Sequence, residues 1–123
     1  MFEVEVISEG SNVALGKSAT QGSTLKHFDA ARAIDGDVGT FSHTDPGACS
    51  NWEVDLGELK PIHSITIKNR WCKSESDDPQ CLCRLSQATV SLFDDQDEWV
   101  HTALIGNMCG ELEWVYDYSP IAC

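Results

Sequence analysis

Six cysteines and twenty carboxylates are the residues of this 123-residue chain with the most chemistry to offer. The cysteines stand at positions 49, 72, 81, 83, 109 and 123. An even number in a short acidic chain points to three disulfides and an oxidising compartment, hence a secreted, extracellular or cell-surface setting. Zinc is the rival use of thiolates. Cys81 and Cys83 are spaced too closely for a structural zinc pair, and no second close pair follows them. Only eight Lys and Arg oppose the carboxylates, so the formal charge is −12. That charge repels phosphate backbones and argues against nucleic acid. It argues equally against membrane lipid, whose anionic headgroups select basic residues. It leaves carboxylates to spare for a hard cation such as calcium. No nucleophile–base motif and no zinc signature accompanies the acids, so the chain reads as a non-enzyme.

The elements that must position these groups are mostly strands. Phe2 to Ile7 alternates apolar and acidic residues, with Phe2, Val4 and Val6 on one face. Trp52 to Leu56, Ile62 to Lys68, Ala88 to Phe93, Trp99 to Ile105 and Leu112 to Tyr118 follow, Ile65 and Ile67 sharing a face as do Val90 and Leu92. Turn clusters separate them: Glu9-Gly-Ser-Asn12, Asp35-Gly-Asp37, Asp45-Pro-Gly47 and Asp94-Asp-Gln-Asp97. Only Phe28 to Ile34 reads as helical, for two turns at most. Many short strands at this spacing predict an all-β fold, a β-sandwich or jelly roll, with residues 1–123 as one domain. No apolar run approaches the roughly 18–20 residues that cross a bilayer. Met1 leads straight into the first strand, so the chain is expected to be a mature region or an excised unit of a tandem array. That strand is either an ordinary N-terminal strand or a stand-in for a closing strand.

An ordered series of segments resembles the F-type lectin (fucolectin) branch of the discoidin-like, galactose-binding-like domains. It runs through Asn12-Val-Ala-Leu-Gly-Lys-Ser-Ala-Thr-Gln-Gly-Ser23, Ala31-Arg-Ala-Ile-Asp-Gly-Asp37, Ser42-His-Thr44, Asn51-Trp-Glu-Val-Asp-Leu-Gly57, Ile65-Thr-Ile-Lys-Asn-Arg70, Arg84-Leu-Ser-Gln-Ala-Thr-Val90 and Ala103-Leu-Ile-Gly-Asn107. The resemblance implies a carbohydrate-binding module for fucose or a related sugar, with fucosylated or related glycans as partners. It implies His43, Arg70 and Arg84 as the sugar-binding set. Two guanidinium forks and an imidazole suit the vicinal hydroxyls and ring oxygen of a sugar. The chain departs from the family where adjacent cysteines follow an Arg-x-Asp. Here Arg70-Trp-Cys72 precedes an acidic insert, Ser74 to Gln80, and Cys81-Leu-Cys83. Asp77 or Asp78 of the insert would replace the missing carboxylate. Trp71 either offers the apolar platform for the sugar or belongs to the core.

The same resemblance implies a calcium site. Asp35 and Asp37 match its side-chain positions, Arg32 offers its carbonyl, and Thr40 or Ser42 adds an oxygen. Glu3 matches a last-strand Glu. The alternative is that Asp35-Gly-Asp37 is only a turn. The family also implies a bridge from Cys109 to Cys123, leaving Cys49, Cys72, Cys81 and Cys83 to pair among themselves. A bridge from Cys72 to Cys81 or Cys83 would close the insert, and Cys49 would take the remaining partner. Neighbouring copies of the domain are a further expected partner. The competing reading is an adhesive extracellular repeat that has lost its sugar.

Overall fold

The computed structural model describes residues 1, 3–37, 39–44, 50–69, 83 and 85–118. Eight strands carry the fold: β1 Glu3–Ser8, β2 Ser11–Asn12, β3 Ser18–Gln21, β4 Trp52–Asp55, β5 Ser64–Lys68, β6 Thr89–Phe93, β7 Trp99–Leu104 and β8 Glu113–Asp117. A four-stranded antiparallel sheet has the order β2-β1-β5-β8, and β3–β4 and β6–β7 form two antiparallel pairs. Every expected strand is present, within two residues at most ends.

Register follows from the alternation of side chains. Val4 lies across from Ile67, which lies across from Trp114; Val6, Ile65 and Tyr116 make the next row. These two rows form the inner face, because a pleated strand sends alternate side chains to one side. Val4, Val6, Ile65 and Ile67 are buried there with Ala14, Ala33, Ile34, Ile105 and Met108. Ala19, Trp52 and Val54 of the β3–β4 pair pack on this cluster, as do Val90 and Leu92 of β6. Strand pairs thus cover the inner face of the larger sheet, which makes an all-β sandwich.

Two strands escape the sequence signals. Ser11–Asn12 reads as a turn, and the polar Ser18–Gln21 shows no apolar alternation. β3 is a strand because β4 supplies its ladder, from Ser18↔Asp55 to Gln21↔Trp52. The helical expectation over Phe28 to Ile34 shrinks to one 3-10 turn, Ala30–Ala33. Asp29 makes no side-chain cap there, and Ile34 leaves helical space at φ −136°. The Trp52 indole N–H donates to the Ala30 carbonyl at 3.0 Å and pins that turn to β4.

The bridge expected between Cys109 and Cys123 is corrected: Cys109 pairs with Cys83, their Cα atoms 4.1 Å apart. The reason is tertiary. Met108 N–H donates to Ser86 Oγ at 2.7 Å, and Gln87 N–H to the Gly106 carbonyl at 3.2 Å. These bonds dock the turn before β8 on the turn before β6. Cys83 is therefore not available to Cys72. Cys49, Cys72, Cys81 and Cys123 lie outside the described residues.

Candidate functional site

The segment from Arg32 to His43 gathers most of the described candidate residues. It leaves the 3-10 turn, makes the Asp35-Gly-Asp37 turn and runs on to His43. Gly36 takes φ +78°, and a Cβ there would lie 3.1 Å from Leu15, so the turn needs glycine. Its N–H donates to Glu3 Oε2 at 2.9 Å, which ties the loop to β1.

Oxygen atoms converge around Thr40. Its hydroxyl lies 2.5 Å from Asp35 Oδ2, 3.1 Å from the Asp37 carbonyl and 3.3 Å from the Arg32 carbonyl. One hydroxyl has one proton to give, so three acceptors compete for it. The Asp37 carboxylate turns away to cap its own loop, accepting from Gly39 N–H at 2.8 Å. Its carbonyl, not its side chain, joins the group. Ser42 is buried, and backbone bonds to Met1 set its place.

Glu3 lies beside this group, holding the Gly36 N–H and close enough to feel the charge of Asp35. It is only 2% exposed, and its Oε1 is buried with no hydrogen-bond partner. Burial pushes its carboxyl up from an ordinary 4.5 to about 7, the Gly36 N–H opposes that rise, and Asp35 adds repulsion. Two carboxylates, a hydroxyl and two carbonyls are a hard-oxygen set. Among the described residues, no three His, Cys, Asp or Glu side chains gather as a metal site. An all-oxygen set of this kind, backbone carbonyls included, is of the type calcium accepts.

His43 follows within the same loop. Its Nδ1 is 2.6 Å from the Thr44 carbonyl. A carbonyl only accepts, so Nδ1 carries the proton and a neutral ring presents Nε2 as an acceptor. Protonation turns Nε2 into a donor. The His43 backbone is fixed on both sides: its N–H donates to the Phe28 carbonyl at 2.9 Å, and its carbonyl accepts from Leu25 N–H at 3.0 Å. Gln21 Nε2 reaches Thr24 Oγ1, the Phe28 carbonyl and the His43 carbonyl, and so holds this neighbourhood together. Phe28 stacks on Phe41 with centroids 4.4 Å apart, and the Arg32 guanidinium lies 5.9 Å over Phe28. Gln21, Phe28 and Phe41 carry no local signal of this role; only the fold brings them to His43. Arg70, Trp71, Asp77, Asp78 and Arg84 lie outside the described residues. Cys83, which precedes Arg84, is anchored by its bridge to Cys109.

The family described as NedA-like, galactose-binding domain matches residues 32–111, which hold four of the eight strands and the loop from Arg32 to His43. The chain belongs to this family. A Streptococcus pneumoniae fucose binding module is similar at 30% identity and TM-score 0.74, covering 91% of this chain and 79% of that one. The lectin domain of lectinolysin, complexed with Lewis b antigen, is similar at 27% identity and TM-score 0.76, covering 92% and 79%. A His 62 mutant of that domain, also complexed with Lewis b, is similar at 28% and TM-score 0.77, covering 92% and 80%. No curated protein matches the chain.

Proposed function

We propose that this chain is a carbohydrate-binding, lectin-like module for fucose or a related sugar, with calcium as its structural cation. The observation that carries the reading is the likeness, over nine-tenths of the chain, to modules whose ligands are fucose and Lewis b. The His43 loop supports it, because backbone bonds set the position of one imidazole. His43, Arg70 and Arg84 bind the sugar in this reading. Each charged donor contributes about 1.5–3 kcal/mol before desolvation, which allows micromolar to millimolar affinity at one site. Useful avidity then needs several sites, in repeats or oligomers.

The calcium part rests on the orphaned Glu3 Oε1 and the surplus of acceptors around Thr40. Glu3, Asp35, Thr40 and the carbonyls of Arg32 and Asp37 would hold the ion. Bound calcium supplies the positive charge that these oxygens lack. The residues then tie β1 to the loop that carries His43. Among the described residues no helix is long and apolar enough to cross a membrane. An extracellular setting is part of the proposal, supported by the Cys83–Cys109 bridge.

A glycan array with calcium and with EDTA, repeated for Arg70→Ala, tests the reading. Fucosylated glycans bind the native protein with calcium, and binding drops in EDTA and in the variant. A folded protein that binds no glycan in calcium overturns the proposal in favour of an adhesive role.

A further inference from the structure

Among the described residues β8 is an edge strand, and its outward side is chemically distinctive. Its ladder partner among the described residues is β5. The bonds that continue this ladder are Asn69 N–H to the Leu112 carbonyl and Tyr118 N–H to the His63 carbonyl. Antiparallel pairing alternates, so the even-numbered residues of β8 exchange bonds with β5. Glu113 and Val115 therefore turn their own N–H and C=O groups away from the sheet. The same two residues expose their side chains, Val115 at 56%, and Leu112 just before the strand is 62% exposed on the other face. Opposite Glu113 in the register, Lys68 reaches Glu5 at 3.6 Å.

An exposed row of backbone donors and acceptors is a template for another strand. What it accepts is decided by charge. A second copy paired antiparallel about Val115 would set Glu113 against Asp117 on both flanks. Like charges directly opposite are unfavourable, and each copy carries −12 overall. An anionic strand is rejected for the same reason. A strand alternating apolar and basic residues sets its apolar side chains beside Leu112 on one face of the sheet and its basic side chains beside Glu111 and Glu113 on the other, where Val115 meets their aliphatic stems.

We infer that the outer edge of β8 is a docking site for an extended polypeptide strand of alternating apolar and basic residues, bound by β-augmentation. This inference does not depend on the sugar site. The probe is the peptide acetyl-Lys-Val-Lys-Val-Lys-Val-amide, with the Glu-for-Lys peptide as control, read by amide hydrogen exchange and by titration. Val115 N–H exchanges quickly in the native chain and slows at least tenfold under saturating basic peptide, while the acidic peptide has no effect. Val115→Pro deletes that outward donor without touching the β5 ladder, a placement edge strands tolerate. It weakens the peptide at least tenfold. Should that variant fail to fold, Glu113→Lys is the substitute and gives the same loss. A Val115 amide that is already slow without peptide overturns the inference, since the chain then covers its own edge. So does a basic peptide that does not bind, or that binds without protecting Val115.

Discussion

Glu3→Gln is the most incisive perturbation, because one buried atom links stability, pH and calcium. In the metal-free fold the Glu3 carboxyl titrates near 7 instead of 4.5, chiefly through burial. The folded state thus holds a proton that the unfolded chain releases. Below pH 4.5 both states are protonated and Glu3 has no effect. Between about 4.5 and 7 stability falls as pH rises, and above 7 the full cost is present. The gap of about 2.5 units corresponds to roughly 3 kcal/mol at 1.36 kcal/mol per unit. Glutamine keeps the size and an acceptor for Gly36 N–H but has no charge to desolvate. In EDTA, native Tm therefore drops between pH 5 and 7.5, on the order of 10 °C for a domain of this size. Glu3→Gln flattens that drop and is the more stable protein at pH 8. Calcium reverses the order: it stabilises the native chain by about 2.7 kcal/mol at a hundredfold excess over Kd, and the variant far less. Differential scanning calorimetry across pH 5–8, with EDTA or calcium chloride, reads all four arms. A native Tm in EDTA that is level across this range, or an equal calcium response in both proteins, refutes the reasoning.

Three further outcomes follow from other parts of the molecule. Peptide mapping under non-reducing conditions yields a Cys83–Cys109 link; removing that one bridge by a Cys83→Ser, Cys109→Ser double substitution lowers stability by about 2–4 kcal/mol in a denaturant titration. A recovered Cys109–Cys123 link contradicts the bridge. Ile105→Ala, at a side chain 1% exposed in the core, costs about 2–5 kcal/mol in the same assay, and a loss under 1 kcal/mol contradicts its placement. His43→Ala weakens sugar binding at least tenfold by calorimetric titration and leaves Tm within a few degrees, whereas a shared collapse of both marks a structural histidine.

The strands with apolar alternation were legible because the pattern and the burial are the same physical fact. Val4, Val6, Ile65 and Ile67 repeat every second residue, and a sandwich buries one side of each strand. The Asp35-Gly-Asp37 turn was legible too, as glycine is the residue that takes φ +78° next to Leu15 at little cost. β3 was not: Ser18–Gln21 has no pattern of its own and becomes a strand through β4.

The order of segments along the chain set the family, the all-β class and the identity of the candidate polar residues. Those features depend on side-chain type and short-range spacing, which sequence records directly. Tertiary structure alone decided that Glu3 Oε1 is stranded in the interior and that Cys109 meets Cys83 rather than Cys123. Each depends on distances between segments far apart in the chain. Local spacing puts no bound on those distances, and only the packing of the two layers closes them.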